Sequence, residues 1–163
     1  MAQVYISVGS NIEPAQNIRS AITELRRHYP KLAISSVYES EAVGFEGDNF
    51  YNLVVGFETQ DDVFEVARVL RAIEDSHARD RREPKFSSRT IDLDMLLYDG
   101  EVINRDGLNI PRDEITKNAF VLWPLAEIAA DKTHPQLGRS FAEMWQDYNK
   151  ESQSLWPIEF EWD

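Results

Sequence analysis

Val4, Ile6 and Val8 alternate with Tyr5 and Ser7, the period of two expected of a half-buried strand. Gly9-Ser10-Asn11 supplies a turn at its end. Ile18, Ala21, Ile22 and Leu25 then recur at helical spacing as far as Pro30. Two further strands are expected over Leu32–Tyr38 and Tyr51–Thr59, with a Gly-, Glu- and Asp-rich loop over 39–49 between them. Asp61 or Asp62 is suited to cap a second helix, whose apolar face is Val63, Val66, Ala67, Leu70 and Ile73. Beyond the polar stretch 75–88, Thr90–Tyr98 reads as a fourth strand and Asp99-Gly100 as a hairpin turn into Glu101–Asn104. Ala119–Ala130 and Phe141–Asp147 carry the pattern of two short helices.

The succession β-α-β-β-α-β followed by helices is the split βαβ arrangement. It implies an α+β, ferredoxin-like core, with an antiparallel sheet carrying helices on one face and a helical C-terminal part. One domain over 1–163 accommodates it, and 42% hydrophobic residues suffice for a real core at this length. The terminal Trp156-Pro157-Ile158-Glu159-Phe160-Glu161-Trp162 alternates large apolar with acidic residues. That pattern suits a strand or arm docking on the domain, or a dimer contact.

With no cysteine, disulfides and thiolate metal sites are excluded. A formal net charge of -12 argues against general binding of nucleic acid or anionic membranes. The N-terminus lacks a basic leader region and no apolar run reaches membrane-spanning length, so a cytoplasmic protein is expected. Against this acidic background, 79–89 holds five basic residues (Arg79, Arg81, Arg82, Lys85, Arg89) and only Asp80 and Glu83 in opposition. Such an island reads either as a small-anion site or as a solvated, charge-mixed loop.

Asp is disfavoured inside strands because its side chain competes for backbone hydrogen bonds. Asp92 and Asp94 nevertheless stand in Thr-Ile-Asp-Leu-Asp-Met-Leu-Leu, an otherwise strong strand. Residues two apart share a face, about 6.5–7 Å apart along the chain. Carboxylates that close repel unless a cation lies between them, and magnesium favours one or two carboxylates completed by water and phosphate oxygens. Arg89 at the strand's mouth would add a fork of donors for phosphate. The other reading has one Asp capping a turn and the other paired structurally with an arginine. His28, His77 and His134 lack ligand spacing and read as surface or supporting residues; Trp123 and Trp145 read as core.

Arg89-Thr-Ile-Asp92-Leu-Asp94-Met-Leu-Leu resembles the signature of the 6-hydroxymethyl-7,8-dihydropterin pyrophosphokinase family. Val4-Tyr-Ile-Ser-Val-Gly9-Ser10-Asn11, Tyr38-Glu-Ser40, Phe50-Tyr51-Asn52-Leu-Val-Val, Leu70-Arg-Ala-Ile-Glu74, Arg79 and Ala119-Phe120-Val-Leu-Trp123-Pro124-Leu125 match in the same order. The resemblance covers roughly four-fifths of the chain. It implies pyrophosphoryl transfer from ATP to the hydroxymethyl group of a reduced pterin, releasing AMP. It gives Asp92 and Asp94 two magnesium ions, Arg79 and Arg89 the catalytic hold on phosphate oxygens, and Glu74 a place lining the ATP site. Phe50 and Phe120 would sandwich the pterin ring, with Asn52, Ser40 and Val43 reading its edge. The partners implied are small molecules only, and a monomer or weak homodimer is expected.

Four departures stand out. After Pro111 the family's histidine is Arg112, and the arginine ahead of Phe120 is Asn118, with Lys117 beside it. Arg112 and Lys117 are therefore candidate ATP contacts. In the loop before the aspartates the family's tryptophan is Phe86, still able to cover the pterin, and its glycine-proline is Ser87-Ser88. Alternatives left open are a paralogue acting on a related pterin or other heterocycle, and a non-catalytic pterin- or nucleotide-binding protein. A nucleotidyltransferase, suggested by Gly9-Ser10 and the Asp-x-Asp, is weak because about 80 residues separate the two elements.

Overall fold

The computed structural model describes residues 1–42, 47–77 and 90–162. Strand β1 (Ala2–Ser10) runs straight through Gly9 and Ser10 before the chain turns into α1 (Pro14–His28). Ile18, Ala21, Ile22 and Leu25 form that helix's buried face, and each large aliphatic side chain shut away from water contributes about 1.5–3 kcal/mol. The expected second strand is split into β2 (Ala33–Ile34) and β3 (Val37–Ser40). The break is made by Ser35, whose hydroxyl accepts from the Val54 N–H at 2.9 Å, a bond the backbone of a continuous strand would have made.

Strand β4 (Phe50–Thr59) leads to α2 (Val63–Ser76), where the Asp62 carboxylate accepts from the Glu65 N–H and caps the helix. Strand β5 (Asp92–Tyr98) follows. Asp99 does turn the chain, with φ 50°, but β5 makes no hairpin with what comes next. Instead Ile103–Arg105 (β6) and Leu108–Ile110 (β7) pair with each other across Asp106-Gly107, both in left-handed backbone, the turn chemistry that two-residue hairpins require. A short helix α3 (Glu114–Lys117) precedes α4 (Ala119–Ile128) and α5 (Phe141–Asp147).

The main sheet has the order β5-β1-β4-β3-β8, with β2 also on β4, and its pairings are antiparallel. Strand β8 (Leu155–Ile158) is the acidic-aromatic tail, added to the edge at β3. Phe160 and Trp162 beyond it pack edge-to-face on each other at 4.6 Å and lie against the core that contains Ile18, Leu25 and Val66. The α+β core is as expected, but helices cover both faces rather than one. Val4, Ile6, Val8, Leu53, Val55, Leu93 and Met95 meet α1 and α2, whereas Tyr5, Val54, Leu96 and Leu97 meet α4 and α5. The second face exists because β4 is apolar without alternation at Leu53-Val54-Val55. In addition, a register shift on β5 (Tyr5 opposite Leu97, Ile6 opposite Met95) directs both Leu96 and Leu97 to one side.

Two smaller expectations change. Trp123 and Trp145 are only half-buried and stack on each other at 5.1 Å, with Tyr38 against Trp123 at 4.7 Å. Of the two readings open for His134, surface or supporting, only the second stands: it is buried, its Nδ1 accepts from the N–H groups of Gln136 and Leu137, and burial lowers its pKa.

Candidate active site

Strand alternation carries Ser7 and Gly9 of β1, Asn52 of β4, and Asp92 and Asp94 of β5 to the face that α4 covers. The helix layer reaches Val54 and Leu96, both fully buried, and stops there. Past its end the sheet carries a polar row. Tyr38 lies opposite Asn52, Asn52 opposite Gly9, and Gly9 opposite Asp92. One step along, Ser7 stands between Val54 and Asp94. Asn52 and Asp92 are thus two strand spacings apart, about 9.5 Å, with only a glycine between them.

Gly9 is required there by close approach rather than by backbone angle. A Cβ on it would lie 3.0 Å from Asn52 Oδ1, too near unless the amide moved. Asn52 is buried and its Nδ2 donates to the Ser40 hydroxyl at 2.8 Å. Phe50, directly opposite Ser40 across the β3–β4 pair, and Phe120, on the first turn of α4, are both partly exposed. Beyond Ser40 a cavity of about 500 Å³ is lined by Asn11, Glu13, Pro14, Glu39, Gly47, Asp48 and Asn49.

The aspartates stand on an edge strand, and two contacts fix it. The Leu93 N–H, pointing out of the sheet between them, donates to Glu74 Oε2 of α2 at 2.9 Å. The fully buried Ser10 donates its hydroxyl to the Thr90 carbonyl at 2.5 Å, tying the start of this segment to the end of β1. Glu74 is 6% exposed, so here its carboxylate is turned to the β5 backbone rather than to an open surface.

Arg112 closes the other side. Its N–H donates to the Leu96 carbonyl, and its guanidinium grips Glu114 in a two-pronged hydrogen bond at 2.9 and 3.2 Å. The same guanidinium lies 3.8 Å from Asp94 Oδ1, an ion-pair distance too long for a hydrogen bond. Burial works against the charge of Arg112, but Asp94, Glu114 and Asp92 outweigh it and raise its pKa. Lys117 is largely exposed and pairs with Asp113 at 3.9 Å. Asn118 has gone over to structural work: its Oδ1 accepts from Gln153, whose own Oε1 caps the Ala119 N–H at the start of α4.

The structure therefore brings Ser40, Phe50, Asn52, Phe120, Asp92, Asp94 and Arg112 to one region, with Glu74 beneath and Lys117 at the rim. Val43, Arg79, Phe86 and Arg89 lie outside the described residues. Gly9, Ser10, Glu114 and Gln153 were not singled out for these roles from the sequence. Among the described residues no group of three or more His, Asp or Glu is assembled to hold a metal. Asp92 and Asp94, two apart on β5, offer carboxylates from one strand face, a donor type that magnesium takes together with water and phosphate oxygens.

A sequence model of the family described as 7,8-dihydro-6-hydroxymethylpterin-pyrophosphokinase (HPPK) matches residues 5–130. The chain is similar to 2-amino-4-hydroxy-6-hydroxymethyldihydropteridine pyrophosphokinase of Aquifex aeolicus, 37% identical over 137 residues, which are 83% of this chain and 85% of that protein. The protein of the same name from Bacillus subtilis is 37% identical over 128 residues, 76% of each. Among solved structures, an HPPK-DHPS in complex with substrates shares the fold at a TM-score of 0.73 and 12% identity, covering 93% of this chain and 44% of that one. Wild-type Plasmodium falciparum HPPK-DHPS with pteroate gives 0.71 and 15% identity, covering 92% of this chain and 43% of its own. The chain thus spans less than half the length of those two structures. The family model covers most of the sequence and the two sequence relatives are matched over three-quarters or more of their length; this chain belongs to the HPPK family.

Proposed function

We propose that this chain transfers pyrophosphate from ATP to 6-hydroxymethyl-7,8-dihydropterin, releasing AMP; its relatives are named as pyrophosphokinases of a hydroxymethyldihydropteridine. The observation that carries the reading is the polar row on one sheet face, with the Asn52–Ser40 pair separated from the aspartates by a bare glycine. A flat heterocycle lying over Gly9 with its edge on Asn52 points a one-carbon arm toward Asp92. Asn52 supplies an amide for that edge, and Phe50, Phe120 and Phe86 supply ring faces. Ser40 orients the amide, and Val43 belongs to the loop that reads the ring.

In this reading the pterin hydroxyl oxygen attacks the β-phosphorus. The bond from that phosphorus to the oxygen shared with the α-phosphate breaks, AMP leaves, and the hydroxyl proton is lost to solvent. Asp92 and Asp94 would hold two magnesium ions, which when bound would neutralise negative charge developing in the transfer. Arg79, Arg89 and Arg112 bind phosphate oxygens, Lys117 adds charge at the rim, and Glu74 keeps the metal-bearing strand in position. A monomer or weak homodimer in the cytoplasm suits small-molecule substrates. No helix among the described residues is long and apolar enough to cross a membrane.

Incubation with ATP, magnesium and the pterin, followed by nucleotide analysis, tests the reaction: pterin-dependent AMP is expected. ADP as product, or no turnover despite pterin binding, would sink it. A second expectation concerns the glycine. Gly9→Ala should weaken pterin affinity about tenfold, because overpacking against a held group costs about 1–3 kcal/mol. Nucleotide affinity should stay unchanged. Fluorescence titration with each ligand separates the two, and equal losses for both would mean the sheet itself had been disturbed.

A further inference from the structure

The Arg112 side chain is over-committed for a simple phosphate ligand. Glu114 holds it by two hydrogen bonds, Asp94 lies at ion-pair distance, and the field of Asp92 also reaches it. One guanidinium thus serves three carboxylates at a partly buried spot, with 29% of its side chain exposed. An arginine whose only task was to wait for nucleotide would not need a carboxylate held against it by two hydrogen bonds.

We infer that Arg112 is the resident counterion of the aspartate pair, and that it yields Asp94 to a divalent cation only when that cation arrives with a triphosphate. The inference rests on the reading of Asp92 and Asp94 as the metal pair. A bare divalent ion approaching Asp94 meets a positive charge 3.8 Å from the oxygen it needs. That charge cannot simply leave, since Glu114 and the Leu96 carbonyl tether the residue at both ends. A cation carrying a nucleotide brings its own anion. The guanidinium can then keep Glu114 and turn its remaining N–H donors to phosphate oxygens, a geometry for which the arginine fork is suited. Metal and nucleotide binding are coupled through this one side chain, and the coupling is reciprocal. It also accounts for Glu114, which keeps the guanidinium within reach during the exchange.

The probes are manganese(II), followed by electron paramagnetic resonance, and an ATP analogue with a methylene bridge between the α- and β-phosphorus. Arg112→Met should bind bare manganese about fivefold more tightly than the unchanged protein, the size expected from removing one partly screened charge beside a divalent ion. The same variant should bind the analogue with manganese about tenfold more weakly. Arg112→Lys keeps the charge without the fork, so its bare-metal affinity should stay near that of the unchanged protein while the analogue still binds more weakly. Melting temperatures within about 3 °C of the unchanged protein establish that each variant folds. Bare-metal affinity that is unchanged or reduced in Arg112→Met overturns the inference. If the unchanged protein takes up no manganese even with the analogue, or if Asp94→Asn takes it up equally well, the metal reading of the aspartates fails and the inference falls with it.

Discussion

Replacing Asp92 and Asp94 together by alanine is expected to lower turnover about a thousandfold while pterin affinity stays within about twofold. The reacting centre gathers negative charge on the triphosphate and on the attacking oxygen, and a cation there contributes several kcal/mol, each 1.36 kcal/mol being a factor of ten in rate. The pterin side should be spared, because Asn52 is fixed by Ser40 and stands two strands away. Folding should also survive. Asp94 is 40% exposed, and Arg112 keeps its two hydrogen bonds to Glu114 when Asp94 is gone. Steady-state rates at saturating pterin, with a separate pterin titration, measure the two effects. Retained activity would undo the metal assignment. Parallel loss of pterin affinity would mean that the aspartates shape the whole face rather than its reacting end.

The aspartates were legible because they violate a local rule: two charged residues in a run that otherwise builds a strand. Periodicity likewise gave the order of the core elements, since β1, α1 and α2 each bury a stripe of their own sequence that recurs at strand or helix spacing. The nucleotide- and pterin-facing details are different in kind. That Gly9 separates Asn52 from Asp92 depends on the register of three strands, which no local pattern encodes. Gln153 capping Ala119 and engaging Asn118 joins residues about 35 apart. The Asn118 amide thereby ties the C-terminal segment to the start of α4.

The placement of α4 and α5 on the second face has a similar origin. Leu53-Val54-Val55 reads as strand whichever face is buried, and the shift that turns Leu96 and Leu97 to the same side is visible only in the pairing with β1. His134 could not be told from a surface residue because its partners are backbone N–H groups, which carry no sequence signature. In each of these places the deciding partner was remote or was main chain.

Glu74 is where the two readings of one residue make opposite demands. As a lining of the ATP site its charge matters; as the acceptor of the Leu93 N–H its oxygen matters. Glu74→Ala is expected to cost about 1–3 kcal/mol of stability, because it leaves the N–H on a buried edge without its acceptor. It should also lower turnover about a hundredfold, since displacing a reacting group by about 1 Å has that scale of effect and both aspartates flank the released residue. Glu74→Gln separates the cases. It keeps an oxygen for Leu93 but no charge, so a strand-holding role leaves turnover within about fivefold and most of the stability in place. A role in ATP binding instead raises the KM for ATP in Glu74→Gln as much as in Glu74→Ala, with the melting temperature of the glutamine variant unmoved. The contacts favour the first outcome. Glu74 is 6% exposed and its carboxylate is bonded at 2.9 Å to the peptide between the two aspartates, so helix α2 sets where the charge pair stands. Equal KM effects in both variants would return Glu74 to the ATP site and leave the edge strand to Ser10 and the sheet alone.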